Sequence, residues 1–106
     1  MSTTQFYGSI TPTLLQPHTV GTIVSPGVYL FKVDTGQMTL GDTVRLDVNT
    51  KLKSGTVANE FSATYGNRQS SQIKSSPPVV VDEFCTVQIR QLTGTPRLFP
   101  FQVISI

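Results

Sequence analysis

Apolar and polar residues alternate with a period of two along most of this chain, and no window of about twelve residues sustains the 3.6-residue apolar period of a helix. Thr43–Lys53 alternates most cleanly, with Val44, Leu46 and Val48 facing one way and Arg45, Asp47 and Asn49 the other. Gly27–Asp34 sets Tyr29, Phe31 and Val33 against Val28, Leu30 and Lys32, and the lysine marks the solvent side. After the hairpin-length loop Lys53-Ser54-Gly55-Thr56, Val57–Tyr65 carries Val57, Phe61, Ala63 and Tyr65 opposite Ala58, Glu60, Ser62 and Thr64. This stretch is expected to pair antiparallel with Thr43–Lys53. Glu83–Leu92 places Cys85, Val87 and Ile89 opposite Phe84, Thr86, Gln88 and Arg90 as a half-buried strand, and Arg97–Ile106 gathers Phe99, Phe101 and Val103 on one face with Leu98, Ile104 and Ile106 apolar elsewhere. His18–Val24 predicts a further strand. Gln5–Thr11 reads as an edge or connector before Pro12, Val79–Val81 as a short strand or bridge, and the polar Arg68–Ser76 as an exposed strand or loop.

Turn signals separate these runs: Ser25-Pro26-Gly27 suits a type II turn, and Gly36, Gly41, Gly66-Asn67, Pro77-Pro78 and Gly94 punctuate the rest. Helix formers are scarce, with Ala58 and Ala63 the sole alanines and Glu60 and Glu83 the sole glutamates. About seven to eight strands at this spacing predict an all-β fold, an antiparallel β-sandwich or jelly-roll-like barrel. With 106 residues the chain is read as a single domain, residues 1–106, in which Met1–Gln5 forms a flexible arm. A domain of this length buries roughly 65% of its unfolded surface and needs no metal or disulfide to hold a core.

Composition narrows the chemistry. No run of about eighteen apolar residues predicts a membrane span, and the start of the chain lacks the blocks of a secretory signal, so synthesis inside a cell is expected. The eight basic residues are scattered and the net charge is +2, which gives no track for phosphates and no expectation of nucleic-acid binding. His18 is the sole histidine and cannot build a histidine metal cluster; it reads as a strand-edge residue. Cys85, at an apolar alternation position, reads as a core residue without an activating partner. Asp82 and Glu83 are adjacent, point to opposite faces of a strand, and read as solvent charges. No cofactor, metal or catalytic residue is expected.

Two motifs carry alternatives. Asp34-Thr35-Gly36 leaves an apolar strand as the triplet of small dimeric aspartic proteases does, and two such carboxylates sharing a proton would require a second chain. Gln37 and Met38 do not match the small residue that follows that triplet, and a plain turn is the better reading. Tyr65 with the loop residues Arg68, Gln69 and Gln72 could serve a carbohydrate- or receptor-binding head, although the chain has no Trp.

Charged residues make up 13% of the chain, about half the roughly 25% usual in soluble domains. Edge strands sparing in charge, and a C-terminal strand apolar on both faces and ending on Ile106, predict burial against a second subunit. The expected oligomer or capsid interface is Leu98, Phe99, Phe101, Ile104 and Ile106, with Gln5 and Phe6 of the N-terminal arm adding to a neighbour's sheet edge.

The segments Leu92-Thr93-Gly94-Thr95-Pro96-Arg97-Leu98-Phe99-Pro100-Phe101-Gln102-Val103 and Val33-Asp34-Thr35-Gly36-Gln37-Met38-Thr39-Leu40-Gly41-Asp42-Thr43 resemble small tailed-bacteriophage virion proteins. The resemblance implies a non-enzymatic structural protein that decorates or cements a capsid as a homo-oligomer, a trimer by preference. It further implies the major capsid protein as partner, synthesis in the host cytoplasm and residence in the virion. It names no capsid-contacting residue.

Overall fold

The computed structural model describes residues 3–51, 53 and 55–106. Among them are nine strands: β1 (Thr3–Ile10), β2 (His18–Ile23), β3 (Gly27–Asp34), β4 (Thr43–Lys51), β5 (Val57–Gly66), β6 (Ile73–Ser75), β7 (Val79–Val81), β8 (Cys85–Thr93) and β9 (Phe99–Ser105). All pairings are antiparallel. One sheet, here sheet A, has the order β1-β9-β3-β6, with β7 also on β3; sheet B has the order β2-β8-β4-β5. Because β6 and β7 share β3 as partner and are separated by Ser76-Pro77-Pro78, they act as one strand interrupted by prolines, which cannot donate to a ladder. Counted so, each sheet has four strands, and the chain lays them down in the order of a jelly roll.

The period-two readings of β3, β4 and β8 hold in the packing. Tyr29, Phe31 and Val33 of sheet A meet Val44, Leu46 and Val48 and Cys85, Val87 and Ile89 of sheet B, all buried. Phe99 and Val103 of β9, Val79 and Val81 of β7, and Ile23 of β2 complete this core, and Met38 enters it from the β3–β4 connection. The space left between the sheets, lined by Tyr29, Phe31, Val48, Val87 and Val103 among others, is about 10 Å³, hardly one water molecule. A ligand therefore has to be met on an outer face, a rim or an edge.

Four expectations change. The interrupted strand raises the count to nine, since Ile73–Ser75 inside the polar segment pairs with β3. Thr3–Gln5, read as part of a flexible arm, are the first residues of β1 and run beside β9, with Thr3 opposite Ser105 and Thr4 opposite Ile104; Met1 and Ser2 lie outside the described residues. Val57 is 50% exposed, because a register shift after Val48 moves the far end of β5 by one residue, so Phe61, Ala63 and Tyr65 turn toward the core and Val57 does not. Gln91 continues the inward row of Cys85, Val87 and Ile89 and is wholly buried although polar.

Candidate functional site

Strand pairing sorts the expected interface residues onto different surfaces. Phe99 is 0% exposed and belongs to the core, a correction to its place at an interface; it occupies the inward position of a central strand. Phe101 and Phe6 also face inward and pack half-buried against the core. The Phe6 ring lies on Gly21 of β2, where any Cβ would collide with it, so this aromatic closes one side of the sandwich rather than reaching a neighbour. Gln5 stays exposed and donates from Nε2 to Ser105 Oγ at 3.0 Å. Leu98 is exposed in the β8–β9 connection.

Ile104 and Ile106 turn to the outer face of sheet A. The register sets Ile104 beside Leu30 on β3, and the Ile106 amide donates to the Val28 carbonyl at 2.8 Å. Val28 in turn lies opposite Val80 of β7. One end of this face is thus an uncharged aliphatic strip of Val80, Val28, Ile106, Leu30 and Ile104, with Val80 70% and Ile106 58% exposed. The sequence carries the signal for Val28 and Leu30, which alternate with the core residues of β3, but Lys32 on the same face disguised them as an ordinary wet surface. Farther along, Lys32, Asp34, Ile73, Pro100 and Gln102 border an open groove of about 210 Å³.

Asp34 lines that groove as its sole carboxylate. Its Oδ1 accepts the Gly36 amide at 2.8 Å, an Asx turn, and Thr35 is buried with both its amide and its hydroxyl donated to the Gln72 carbonyl at 2.8 and 2.7 Å. The triplet thus anchors the β3–β4 connection to the segment before β6. The loop read as a ligand surface is similarly engaged. Lys74 Nζ sits 4.8 Å from the centroid of the Tyr65 ring and occupies a face that a sugar would need. Gln69 Nε2 donates to the Gly66 carbonyl at 2.6 Å, leaving Arg68 and Gln72 as the exposed members of the set.

At the end of the sandwich where the β3–β4 and β8–β9 connections meet, Asp42 is 1% exposed and ringed by donors: Thr39 N–H at 2.9 Å, Thr95 N–H at 3.1 Å and Arg97 Nε at 2.7 Å. Burial alone would raise its carboxyl pKa; the Thr39 amide, Arg97 and the Thr95 amide outweigh that and hold it below the ordinary value. Gln91 backs this cluster, donating to the Thr93 and Thr95 carbonyls and accepting the Arg97 amide at 2.9 Å. Every buried side-chain polar atom here has a partner within the chain, which makes the cluster a clasp between connections. His18 at the start of β2, an edge strand, accepts the Thr13 amide on Nε2 at 3.0 Å. Cys85 is a core residue whose thiol is pushed up to about 11, chiefly by burial and then by Glu60. Asp82 and Glu83 are exposed, with Glu83 3.8 Å from Lys51 Nζ. Among the described residues no three His, Cys, Asp or Glu side chains gather as metal ligands.

Compared with protein-family models, with curated proteins and with solved structures, the chain matches none.

Proposed function

We propose that this protein is a structural component of a tailed-bacteriophage virion, a homo-oligomer that decorates or cements the capsid without covalent chemistry. The supporting observation is the contrast between the two outer faces of the sandwich. Sheet B turns mainly hydroxyls, amides and arginines outward, with Val57 beside Lys51 at the end of its β4–β5 ladder, whereas sheet A turns out the strip Val80, Val28, Ile106, Leu30 and Ile104. A grouped aliphatic surface of this kind gains free energy on being covered. A second copy of the chain, or the major capsid protein, is the cover that this reading assigns. Trimeric closure follows from the resemblance of the Val33–Thr43 and Leu92–Val103 segments, and it would repeat the same contact around an axis. A protein that binds only the assembled shell stabilises it by mass action, which is the cementing role.

The test is whether purified virions carry the chain in stoichiometric copy number and whether electron cryomicroscopy places it over junctions of the shell. In solution, multi-angle light scattering should report a trimer, and Ile104→Asp should give a folded monomer that no longer binds capsids. Absence from virions, or a solitary wild-type chain indifferent to capsids, overturns the proposal.

A further inference from the structure

The outer face of sheet B is read across its strands in three rows: Thr22, Thr86, Asn49 and Asn59; Thr19, Gln88, Asp47 and Ser62; and Arg90, Arg45 and Thr64. Asp47 is the sole carboxylate in these rows, and its neighbours already satisfy it. Its Oδ1 accepts from Arg45 Nε at 3.0 Å, Ser62 Oγ at 2.6 Å and Asn59 Nδ2 at 3.2 Å. Arg90 lies directly opposite Arg45, a like-charge placement that weakens a sheet unless an anion joins it. Arg90 has no ion-pair partner among the described residues, and its Nε is the one buried side-chain polar atom among them without a hydrogen bond. That buried Nε is closed to a ligand, but the two Nη groups are not buried and make no hydrogen bond with the described residues, which leaves them as the donors open to a partner from outside the chain.

We infer that Arg90 and Arg45 form an oxyanion-binding pair for a saccharide bearing carboxylate or phosphate groups. Guanidinium forks grip such oxygens two at a time, and Arg90 has its donors uncommitted. The rest of the face supports the choice of a sugar. Gln88 Nε2 donates to Thr19 Oγ1 at 3.1 Å and Asn49 Nδ2 to Gln88 Oε1 at 3.3 Å, so each of these amides keeps a second N–H for a ligand, and Thr22, Thr64 and Thr86 add hydroxyls, the functional groups that match a polyol. Two cations beside one carboxylate do not suffice to follow a nucleic-acid backbone. The rows also lack the apolar pockets by which an extended peptide is read. The site is on the sheet opposite the aliphatic strip, so it is independent of the virion proposal and both surfaces can be occupied at once.

The test is NMR titration of the intact chain with trigalacturonate, with an oligomer of glycerol phosphate and with neutral maltotriose, each to about 1 mM. The inference expects at least one anionic oligomer to shift the backbone amides of Arg45, Asp47, Gln88 and Arg90 while maltotriose leaves them unmoved. The two anionic arms tell carboxylate from phosphate recognition. Arg90→Gln should weaken binding about tenfold or more at unchanged circular dichroism, and Arg90→Lys, which keeps the charge without the fork, should fall between. Should Arg90→Gln not fold, the wild-type shift map and Arg90→Lys decide. Unmoved amides with both anions, equal shifts with maltotriose, or full affinity in folded Arg90→Gln overturns the inference.

Discussion

Arg97 Nε donates to Asp42 Oδ2 at 2.7 Å, joining residues 55 positions apart and locking the β3–β4 connection to the β8–β9 connection. The same carboxylate takes the amides of Thr39 and Thr95, so Asp42 organises backbone from both loops. Removing its charge leaves the partly exposed Arg97 guanidinium without its counter-ion and weakens two amide bonds together. Asp42→Asn is expected to cost about 2 kcal/mol, the range for losing a hydrogen bond to a charged group. Arg97→Gln, at a partly exposed side chain, should cost less. Urea denaturation of both variants measures the difference.

The clasp also sets a pH dependence. Asp42 is held below its ordinary value when folded, so its contribution is complete above the unfolded carboxylate value near 3.9 and is lost as pH falls through the lower folded value. Wild-type stability should therefore decline on acidification below about pH 5, and Asp42→Asn should decline less steeply over the same interval. Equal slopes in the two proteins would remove Asp42 as the cause.

Two glycines with the same backbone angle separate strain from crowding. Gly41 and Gly94 both have φ of +92°, a region that costs an L-residue about 1–2 kcal/mol. A Cβ on Gly41 meets nothing within 4 Å, whereas one on Gly94 would press on the Asp42 backbone at 2.8 Å and collide with its carboxylate. Gly41→Ala should thus show the strain alone. Gly94→Ala should lower the thermal midpoint by clearly more, because it also opens the clasp. Matching midpoints would show that the loop around Asp42 yields freely.

Where Pro77 and Pro78 interrupt the strand beside β3, the hydrogen bonding is carried by a side chain. The Phe31 amide donates to Ser76 Oγ at 3.0 Å, and the Ser76 amide donates to the Phe31 carbonyl at 2.8 Å. Both residues are buried, so Ser76→Ala strands the Phe31 amide away from water, with an expected cost of about 1–3 kcal/mol. Hydrogen exchange at Phe31 should speed up more than at Val33, whose neighbours are unchanged. Ser76→Thr, which restores a hydroxyl, should recover part of the protection if its methyl is accommodated.

How much of this was readable in advance depended on whether side chains announced their own direction. Val44, Leu46 and Val48 alternate with charged or amide groups, and the core face of β4 follows from that alone. Val57 obeyed the same rule on paper and failed, because the bulge opposite Asn49 is a property of two strands together. Phe6 and Phe99 are apolar residues near apolar ends, and only the register shows that both face inward while Ile104 does not. Asp42 lies 55 positions from Arg97, and both, like Gln91, are of types expected at the surface, so their cluster rests on hydrogen bonds between two connections that no apolar pattern encodes. Arg90 and Arg45 escaped notice for a related reason: each marks the wet side of its own strand, and their adjacency exists only once β4 pairs with β8.

Cys85 offers a clock for opening of the sandwich. Its thiol is buried at the inward start of β8 and pushed up from 9.0 to about 11, so at pH 8 about one molecule in a thousand carries the reactive thiolate when folded. In the unfolded chain, where a cysteine titrates near 8.5, the fraction is about a quarter. Labelling with a disulfide-exchange reagent should therefore be slow in buffer and rise steeply across the urea transition, tracking the circular dichroism signal. The raised value also means that the thiol's contribution to stability is complete only below the unfolded value near 8.5 and is lost progressively as pH climbs from about 8 toward about 11, the opposite side of the range from Asp42. Rapid labelling of native protein at pH 8 would place the thiol at an accessible edge and contradict its position beside Val87 in the inward row of β8.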